Sequence, residues 1–339
     1  MREDLIHFIR CPICKEQNFE VVSSLRDSRE IREGHLICQQ CESVYKIERG
    51  IVDLLPNPTE TILKEEQGWV ELLGETSDEL IDTMLSLPYY DQDPMWINVG
   101  HNFDRGLADV DVAGKSVLDL GAGRCWSSRR LLQRGAAHVI ALDILTTRYI
   151  GLETADIFFE HDGLYFERLV GDMNDLPLQD GKFDVVFSTA TIHHSSNLEC
   201  TFKEIARVLA PGGVALIINE PVRRIGSREN LSESVEVQHG INEHTYTIAD
   251  YLSAVRSAGL RSELLFPGSV ASWIQEGNWT IVRDHMGSVG ARIIPRVWKY
   301  TRRLLQWQPL LWTIYAFSPA FPLVMIAQSR KETRDDLSQ

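Results

Sequence analysis

The sequence is short of basic residues, of cysteine and of unbroken apolar segments. Lysine and arginine total 34 against 48 aspartates and glutamates, a formal net charge of −14. Broad nucleic-acid binding needs clustered cations, so this balance argues against it. The first ten residues contain acids and too short an apolar run for a secretory signal. The uncharged stretch 304–327 could span a bilayer in length, but Pro309, Pro319 and Pro322 interrupt it. We therefore expect a cytoplasmic protein without a membrane span.

Cysteine is scarce, yet four of the six cysteines form two C-x-x-C pairs. Two tight turns that each present two thiolates are typical of a structural zinc site, in which four thiolates complete a tetrahedron. A redox dithiol pair is the alternative. A ribbon of this size has no core of its own, so the metal would supply much of its folding free energy. We predict a zinc ribbon over residues 1–57, with the metal ligands Cys11, Cys14, Cys38 and Cys41.

The rest of the chain is organised around the stretch 116–126, which predicts a strand, a glycine loop and a helix start. Gly121 and Gly123 allow a tight turn, and the helix start leaves amide groups free to cradle a ligand. A dinucleotide fingerprint would need a third glycine where Trp126 stands. Asp119 would repel a pyrophosphate but could accept a hydrogen bond from an ammonium group. The loop therefore indicates a site for a small zwitterionic ligand.

These residues resemble the first motif of class I S-adenosylmethionine-dependent methyltransferases of the type 11 kind, with cysteine at position 125 where the family often has glycine. The resemblance covers 113–330 and includes acids after two further strands and a Pro-Gly-Gly turn at 211–213. It implies an α/β fold, a Rossmann-like sheet of seven strands with strand seven antiparallel. It also implies that S-adenosylmethionine is the cofactor.

The cofactor contacts are expected at the ends of successive strands. Asp143 follows the second strand, where a carboxylate can accept both ribose hydroxyls. By the resemblance, the glycine loop holds the methionine part, Asp172 contacts adenine and Met173 packs on its ring. The full set of predicted cofactor-binding residues is Asp119, Gly121, Ala122, Gly123, Asp143, Ile144, Asp172, Met173 and Ser188.

Two further segments resemble parts of such enzymes. Residues 8–56 are similar to the zinc ribbon of methyltransferase-activator proteins, which implies a platform for substrate or partner; bracing of the larger domain is the alternative. Residues 58–112 are predicted to form a helical linker or lid. Within it, Tyr89, Tyr90 and Trp96 would either cover the pocket or pack between domains.

The candidate catalytic residues are His194 and His193, in the loop after the fourth strand of the sheet. A histidine near neutral pKa could remove a proton from an acceptor hydroxyl as the methyl group arrives. The alternative is that one histidine only hydrogen-bonds the backbone or packs beside the cofactor. Position alone suggests five substrate-side residues: Glu220, Glu243, His244, Tyr246 and Trp96.

A tryptophan-rich insertion at 268–320 separates the last two predicted strands. From Pro295 its pattern predicts an amphipathic helix with Arg296, Lys299 and Arg303 on one face. We favour a substrate lid, and the alternative is a peripheral membrane contact through 291–312. The segment 331–339 is a polar tail.

The sequence thus predicts an S-adenosylmethionine-dependent methyltransferase that acts on oxygen of a small or carrier-linked metabolite, such as a glycan or lipid-linked sugar. The histidine pair, the acidic balance and the tryptophan-rich insertion motivate this choice. One alternative is a ribosomal RNA guanine methyltransferase, because some of these also carry a zinc ribbon. The other is a cofactor-binding partner protein without catalytic activity.

Overall fold

The computed structural model describes residues 1–73, 80–229, 231, 234–278, 280, 283, 304–318 and 321–330. The strands are β1 Phe19–Arg26, β2 Ile31–Cys38, β3 Val44–Glu48, β4 Ile51–Asp53, β5 Ser116–Leu120, β6 His138–Asp143, β7 Glu167–Val170, β8 Phe183–Thr189, β9 Leu209–Glu220, β10 Val222–Arg223, β11 Tyr246–Thr247, β12 Arg261–Leu264 and β13 Leu323–Gln328. The helices are α1 Glu60–Leu73, α2 Ile81–Ser86, α3 Pro94–Leu107, α4 Trp126–Gln133, α5 Ala155–Asp162, α6 Leu198–Val208, α7 Val235–Gln238, α8 Ile248–Ser257, α9 Gly268–Glu276 and α10 Gln308–Phe317.

The central sheet has the order β1-β2-β3-β4-β7-β6-β5-β8-β9-β13-β12. The predicted class is confirmed, since β5 to β9 are joined by parallel pairings and β13 runs antiparallel to β9. The larger domain contributes the seven predicted strands, β5 to β9, β12 and β13, but the sheet of the described residues has eleven strands in all. The four strands of the amino-terminal ribbon extend it, because β4 pairs in parallel with β7 and places Val52 opposite Leu169.

The central strands carry apolar side chains on both faces of the sheet, so both faces must be covered by other parts of the chain. Val117, Leu118 and Leu120 of β5 are all fully buried, as expected for a central parallel strand packed on both sides. Helix α6 shows how a covering helix forms. Asn197 caps it by accepting the Cys200 N–H at 3.1 Å, and its buried residues recur every three or four positions, with Phe202 fully enclosed.

The ribbon and the larger domain are also joined by a buried ion cluster. Arg168 of β7 is completely buried and donates to Glu30 Oε1 at 2.6 Å and to Asp156 Oδ1 at 2.8 Å. It also donates to the Arg49 carbonyl at 3.0 Å. Because Glu30 and Arg49 belong to the ribbon side, this one guanidinium holds three segments together. Removing one partner of such a pair typically costs about 3–5 kcal/mol.

The tryptophan-rich insertion is described only in part. Trp273 in α9 is buried, whereas Trp307 is 62% exposed and Trp312 is 39% exposed. The predicted amphipathic helix falls mainly outside the described residues, as do Arg296, Lys299, Arg303, Trp279, Trp298 and the polar tail. The membrane contact through 291–312 therefore stays a prediction. Among the helices that the structure describes, none combines the length and apolar character needed to cross a bilayer.

Candidate functional site

A cavity of about 280 Å³ lies where β5, β6, β7 and β8 end. In open α/β sheets, ligands bind at the carboxyl ends of the parallel strands. The glycine loop, Asp143 and Asp172 contribute to its wall, and Glu65 and Trp69 of α1 contribute from a helix that precedes the sheet. This cavity is consequently the candidate site.

The glycine loop has the backbone that the sequence predicts but uses its amide groups differently. Gly121 has φ of +70°, and a Cβ there would lie 1.9 Å from the Thr191 side chain, so only glycine fits. The amides of Gly121 and Ala122 donate to the Leu142 carbonyl at 2.9 and 3.1 Å. The Gly123 amide donates to Asp143 Oδ2 at 2.7 Å. These three amides therefore fasten the loop to β6 and are not among the free amide groups that the sequence predicts at the helix start.

Asp119 lies behind the cavity and is fully buried. Its Oδ2 accepts hydrogen bonds from Ser127 Oγ at 2.7 Å and Ser128 Oγ at 2.5 Å, both at the start of α4. Its Oδ1 has no hydrogen-bond partner among the described residues. Burial raises the pKa of this carboxyl to about 6, although the two serine hydroxyls oppose the change. The expected direct contact of Asp119 with an ammonium group is corrected to a role in holding the loop against α4.

Other predicted cofactor residues do line the cavity. Asp143 accepts the Gly123 and Leu145 amides at 2.7 and 2.8 Å, and burial raises its pKa. Asp172 Oδ1 accepts the Asn174 amide at 2.8 Å, which leaves its Oδ2 available to a ligand. The predicted residues found on the wall are Gly121, Ala122, Gly123, Asp143, Ile144, Asp172 and Met173.

Ser188 is placed away from the cavity, contrary to expectation. It is fully buried in β8, and its Oγ has no hydrogen-bond partner in the part of the chain that is described. The next three residues, Thr189, Ala190 and Thr191, line the cavity instead. Ala190 has φ of +49°, an unusual conformation that turns the chain at the end of β8.

The two histidines differ in position and in the direction in which their pKa values are shifted. His194 lines the cavity, and its Nδ1 donates to the Asn242 carbonyl at 2.6 Å. Burial and the neighbouring His193 lower the pKa of His194 to about 4. His193 lies behind it, with Nδ1 2.7 Å from Glu220 Oε2. Burial lowers the pKa of His193, but the Glu220 and Glu243 carboxylates outweigh this effect and the net change is upward.

Glu220, which the sequence predicts to be a substrate-side residue, is not part of the cavity wall. It is fully buried and accepts the backbone amides of Thr191, Ile192 and His193 at 2.9, 3.0 and 3.0 Å. The adjacent charge of His193 keeps its pKa below the usual value in spite of burial. Glu220 therefore orders the histidine loop and does not face a substrate.

The remaining substrate-side predictions separate into two groups. Trp96 lines the cavity and meets Trp126 edge to face, with centroids 6.0 Å apart. Glu243 lies within 3.5 Å of both histidines. The rings of His244 and Tyr246 contact each other in a tilted arrangement, with centroids 5.5 Å apart, and are not part of the cavity wall. Tyr89 and Tyr90 are likewise absent from that wall.

The sequence analysis missed several wall residues, among them Glu65, Trp69, Arg124 and Asn242. Burial raises the pKa of Glu65 to about 8, and the Asp143 carboxylate adds to the effect. Burial lowers the pKa of Arg124, whose guanidinium forms no salt bridge among the described residues. Glu65 and Trp69 are four residues apart, so helical spacing puts them on one face of α1. Nothing in the local pattern shows that this face meets the cavity.

The four ribbon cysteines converge as predicted. Cys11 Sγ lies 3.6 Å from Cys41 Sγ, and Cys14 Sγ lies 3.5 Å from Cys38 Sγ. All four sulfurs are within 4.8 Å of one another. Around a tetrahedral zinc ion with bonds of about 2.3 Å, sulfurs would be separated by roughly 3.8 Å. The cluster therefore has the chemistry and nearly the dimensions of a closed zinc site.

Comparisons with known proteins identify residues 118–217 as a match to the family described as a methyltransferase domain. The chain is 30% identical over 189 residues to a sterol 24-C-methyltransferase, ERG6B, of Gibberella zeae, covering 51% of this chain and 48% of that protein. It is 32% identical over 119 residues to a fatty-acid O-methyltransferase of Mycolicibacterium smegmatis, covering 32% and 38%. The chain thus spans about half or less of these relatives.

One solved structure supports the fold. The [4+2]-cyclase SpnF superposes with a TM-score of 0.50 at 16% identity, covering 81% of this chain and 97% of that chain. At this identity the similarity concerns the arrangement of the sheet and helices alone.

Proposed function

The chain carries a methyltransferase domain over residues 118–217, and from this premise we propose that it transfers the methyl group of S-adenosylmethionine to an oxygen of a small or carrier-linked substrate. The observation that carries the proposal is the shared cavity of the glycine loop, Asp143 and Asp172. Three elements of the predicted cofactor site, distant in sequence, meet there.

The wall residues suit the parts of this cofactor. Asp143 would accept the ribose hydroxyls, while Asp172 and Met173 would contact adenine. Arg124 lies at the wall without a salt bridge to any residue that the structure describes, and it would bind the methionine carboxylate. The carboxyl groups of Glu65 and Asp143 place acidic oxygens around a ligand that carries a sulfonium charge. When bound, the cofactor supplies an electrophilic methyl group, and the protein aligns the acceptor with it.

Two arguments support an oxygen acceptor and a lipid or carrier-linked substrate: the side chains at the cavity and the names of the similar proteins. His194 reaches the cavity, and donation from Nδ1 to Asn242 leaves Nε2 as its proton-accepting atom. His193 would position that loop through Glu220. Trp69 and Trp96 give the wall an apolar surface suited to a lipid or carrier-linked group, such as a lipid-linked sugar. The fatty-acid O-methyltransferase among the relatives acts on a substrate of this kind by its name.

The test is to incubate the purified, zinc-loaded protein with methyl-labelled S-adenosylmethionine and with separate lipid, carrier-protein, small-molecule and RNA fractions. The proposal predicts base-labile or ether-linked label in a lipid, carrier or small-molecule fraction. Label in RNA would overturn it in favour of the guanine methyltransferase alternative. Binding of cofactor without any turnover would overturn it in favour of a non-catalytic partner protein.

The proposed role of His194 has its own control. His194→Ala should lower turnover with little effect on cofactor affinity, whereas His239→Gln, outside the cavity wall, should leave both unchanged. If His194→Ala turns over as fast as the wild type at every pH, His194 is not the catalytic base.

We also propose that the four-cysteine cluster of the ribbon binds one structural zinc ion. The support is the convergence of the four sulfurs, which together complete a tetrahedral ligand set. Elemental analysis should find one zinc per chain, and Cys14→Ser should lose it while Cys200→Ser retains it. A full zinc complement in Cys14→Ser would contradict the assignment.

A further inference from the structure

A second group of donor atoms lies beside the cavity, formed by His193, His194 and Glu243. One carboxylate oxygen, Glu243 Oε2, is 3.5 Å from His193 Nε2 and 3.5 Å from His194 Nδ1. One ligand atom from each of the three residues lies within 4.8 Å of a ligand atom from each of the other two. Donors bound to a tetrahedral ion at about 2.1 Å are separated by roughly 3.4 Å. The two distances of 3.5 Å therefore match a shared metal ion.

We propose that His193, His194 and Glu243 form a binding site for a divalent transition-metal ion at the wall of the cavity. Two imidazoles and one carboxylate are a donor set that suits Mn²⁺, Fe²⁺ and Zn²⁺, with open positions for oxygen ligands. This site is distinct from the cysteine cluster, which belongs to the ribbon.

The surroundings of His193 have the arrangement of an outer ligand shell. His193 Nδ1 donates to Glu220 Oε2 at 2.7 Å, which turns Nε2 toward Glu243. Glu220 is itself fixed by the backbone amides of Thr191, Ile192 and His193. Metal-binding histidines usually donate their other ring N–H to a carboxylate held in this way. The orientation of His193 is thus set before any ion binds.

The charge around the group also favours a cation. Glu65 is a fourth candidate ligand, because its Oε1 lies 3.9 Å from His194 Nδ1 and the residue is only 7% exposed. In the described part of the chain, the basic side chains within 4.0 Å of the Glu65, Glu220 and Glu243 carboxyl groups are those of histidines alone. With no lysine or arginine paired to them, these acids would be neutralised by a bound cation.

The position of the site gives the ion a role. His194 and Glu65 line the cavity, so an ion there would bind an oxygen of the substrate next to the cofactor. This role rests on the proposed function, whereas metal binding itself does not. An ion on His194 Nδ1 would replace the hydrogen bond from this nitrogen to the Asn242 carbonyl and would leave the ring hydrogen on Nε2, so His194 would then be a ligand and not a base. The two roles exclude each other.

The experiment is a titration of Mn²⁺ into the full chain loaded with a single equivalent of zinc, which the four cysteines take up, monitored by electron paramagnetic resonance of free Mn²⁺ and by calorimetry. Mn²⁺ prefers nitrogen and oxygen donors, so the cysteine cluster does not compete. We expect one bound Mn²⁺ per chain. Glu243→Gln should weaken binding at least 10-fold, and Glu220→Gln should weaken it by roughly 10- to 100-fold. His239→Gln is the matched control and should bind as the wild type does.

Absence of Mn²⁺ binding below millimolar concentration, or binding that Glu243→Gln leaves intact, would overturn the metal site. Circular dichroism of each variant shows whether it is folded, and Glu65→Gln provides a second ligand variant if Glu243→Gln is not. The readout requires no turnover, so it is separate from failure of the proposed function. Binding of Mn²⁺ by a protein that never methylates would uphold the site and overturn its catalytic role.

Discussion

The substitution Asp143→Asn tests whether the Asp143 carboxylate both holds the glycine loop and binds the cofactor. The carboxylate accepts two backbone amides, from Gly123 at 2.7 Å and Leu145 at 2.8 Å, and would accept the ribose hydroxyls. An asparagine keeps the shape but replaces one acceptor oxygen with an NH₂ group, which cannot accept. A hydrogen bond to a charged group contributes about 1.5–3 kcal/mol. Loss of one such bond to the ligand should therefore weaken binding by roughly 10- to 150-fold.

The assay is isothermal titration calorimetry with S-adenosylhomocysteine, with thermal denaturation to confirm that the variant is folded. Asp184→Asn is the matched control. Asp184 also accepts a backbone amide, that of Ser116 at 3.0 Å, but it is exposed and away from the cavity. The control should bind S-adenosylhomocysteine within twofold of the wild type. A folded Asp143→Asn variant that does the same would refute the assigned role of Asp143.

Three further predictions concern stability. Asp119→Asn should flatten the pH dependence of the free energy of unfolding between about pH 4 and 6. In that range the buried Asp119 of the wild type holds a proton that the unfolded chain has lost, so the wild-type free energy of unfolding falls by about 3 kcal/mol as the pH rises. An unchanged slope in the variant would contradict this. Arg168→Met should lower the free energy of urea unfolding by about 3–5 kcal/mol, against less than 1 kcal/mol for the exposed Arg26→Met; equal effects would refute the buried cluster. Chelation of the ribbon metal should lower Tm, as should Cys14→Ser but not Cys200→Ser; an unchanged Tm after complete chelation would refute a structural metal.

Features fixed by short-range pattern were predictable. The acids Asp143 and Asp172 follow apolar strands, and the carboxyl ends of parallel strands meet at one edge of the sheet, so their approach to a common cavity follows from the sequence. The four cysteines occur in two tight pairs whose spacing already indicates a tetrahedral site.

Other features depend on contacts between distant segments. Asp119 has the same strand-end position as Asp143, yet the hydroxyls of Ser127 and Ser128 draw its carboxylate to the side away from the cavity. The sequence pattern does not distinguish the two sides of the loop. His193 and His194 are neighbours, but the short 3-10 helix at Ile192–His194 directs one toward Glu220 and the other into the cavity.

The sequence also gave no indication that the ribbon strands pair with the central sheet. Strand β4 has only three residues, and nothing in Ile51–Asp53 specifies β7 as its neighbour. The pairing arises because β7 would otherwise be an edge strand with unpaired backbone groups. Arg168, fully buried at that edge, then finds its carboxylate partners in the ribbon and in α5.

The most direct test of the central claim is calorimetric titration of the zinc-loaded wild-type protein with S-adenosylmethionine, S-adenosylhomocysteine and a nicotinamide dinucleotide. We expect each of the two sulfur-containing nucleosides to bind with a stoichiometry of one per chain, and the dinucleotide to give no heat. Heat from the dinucleotide, with none from either nucleoside, would contradict it.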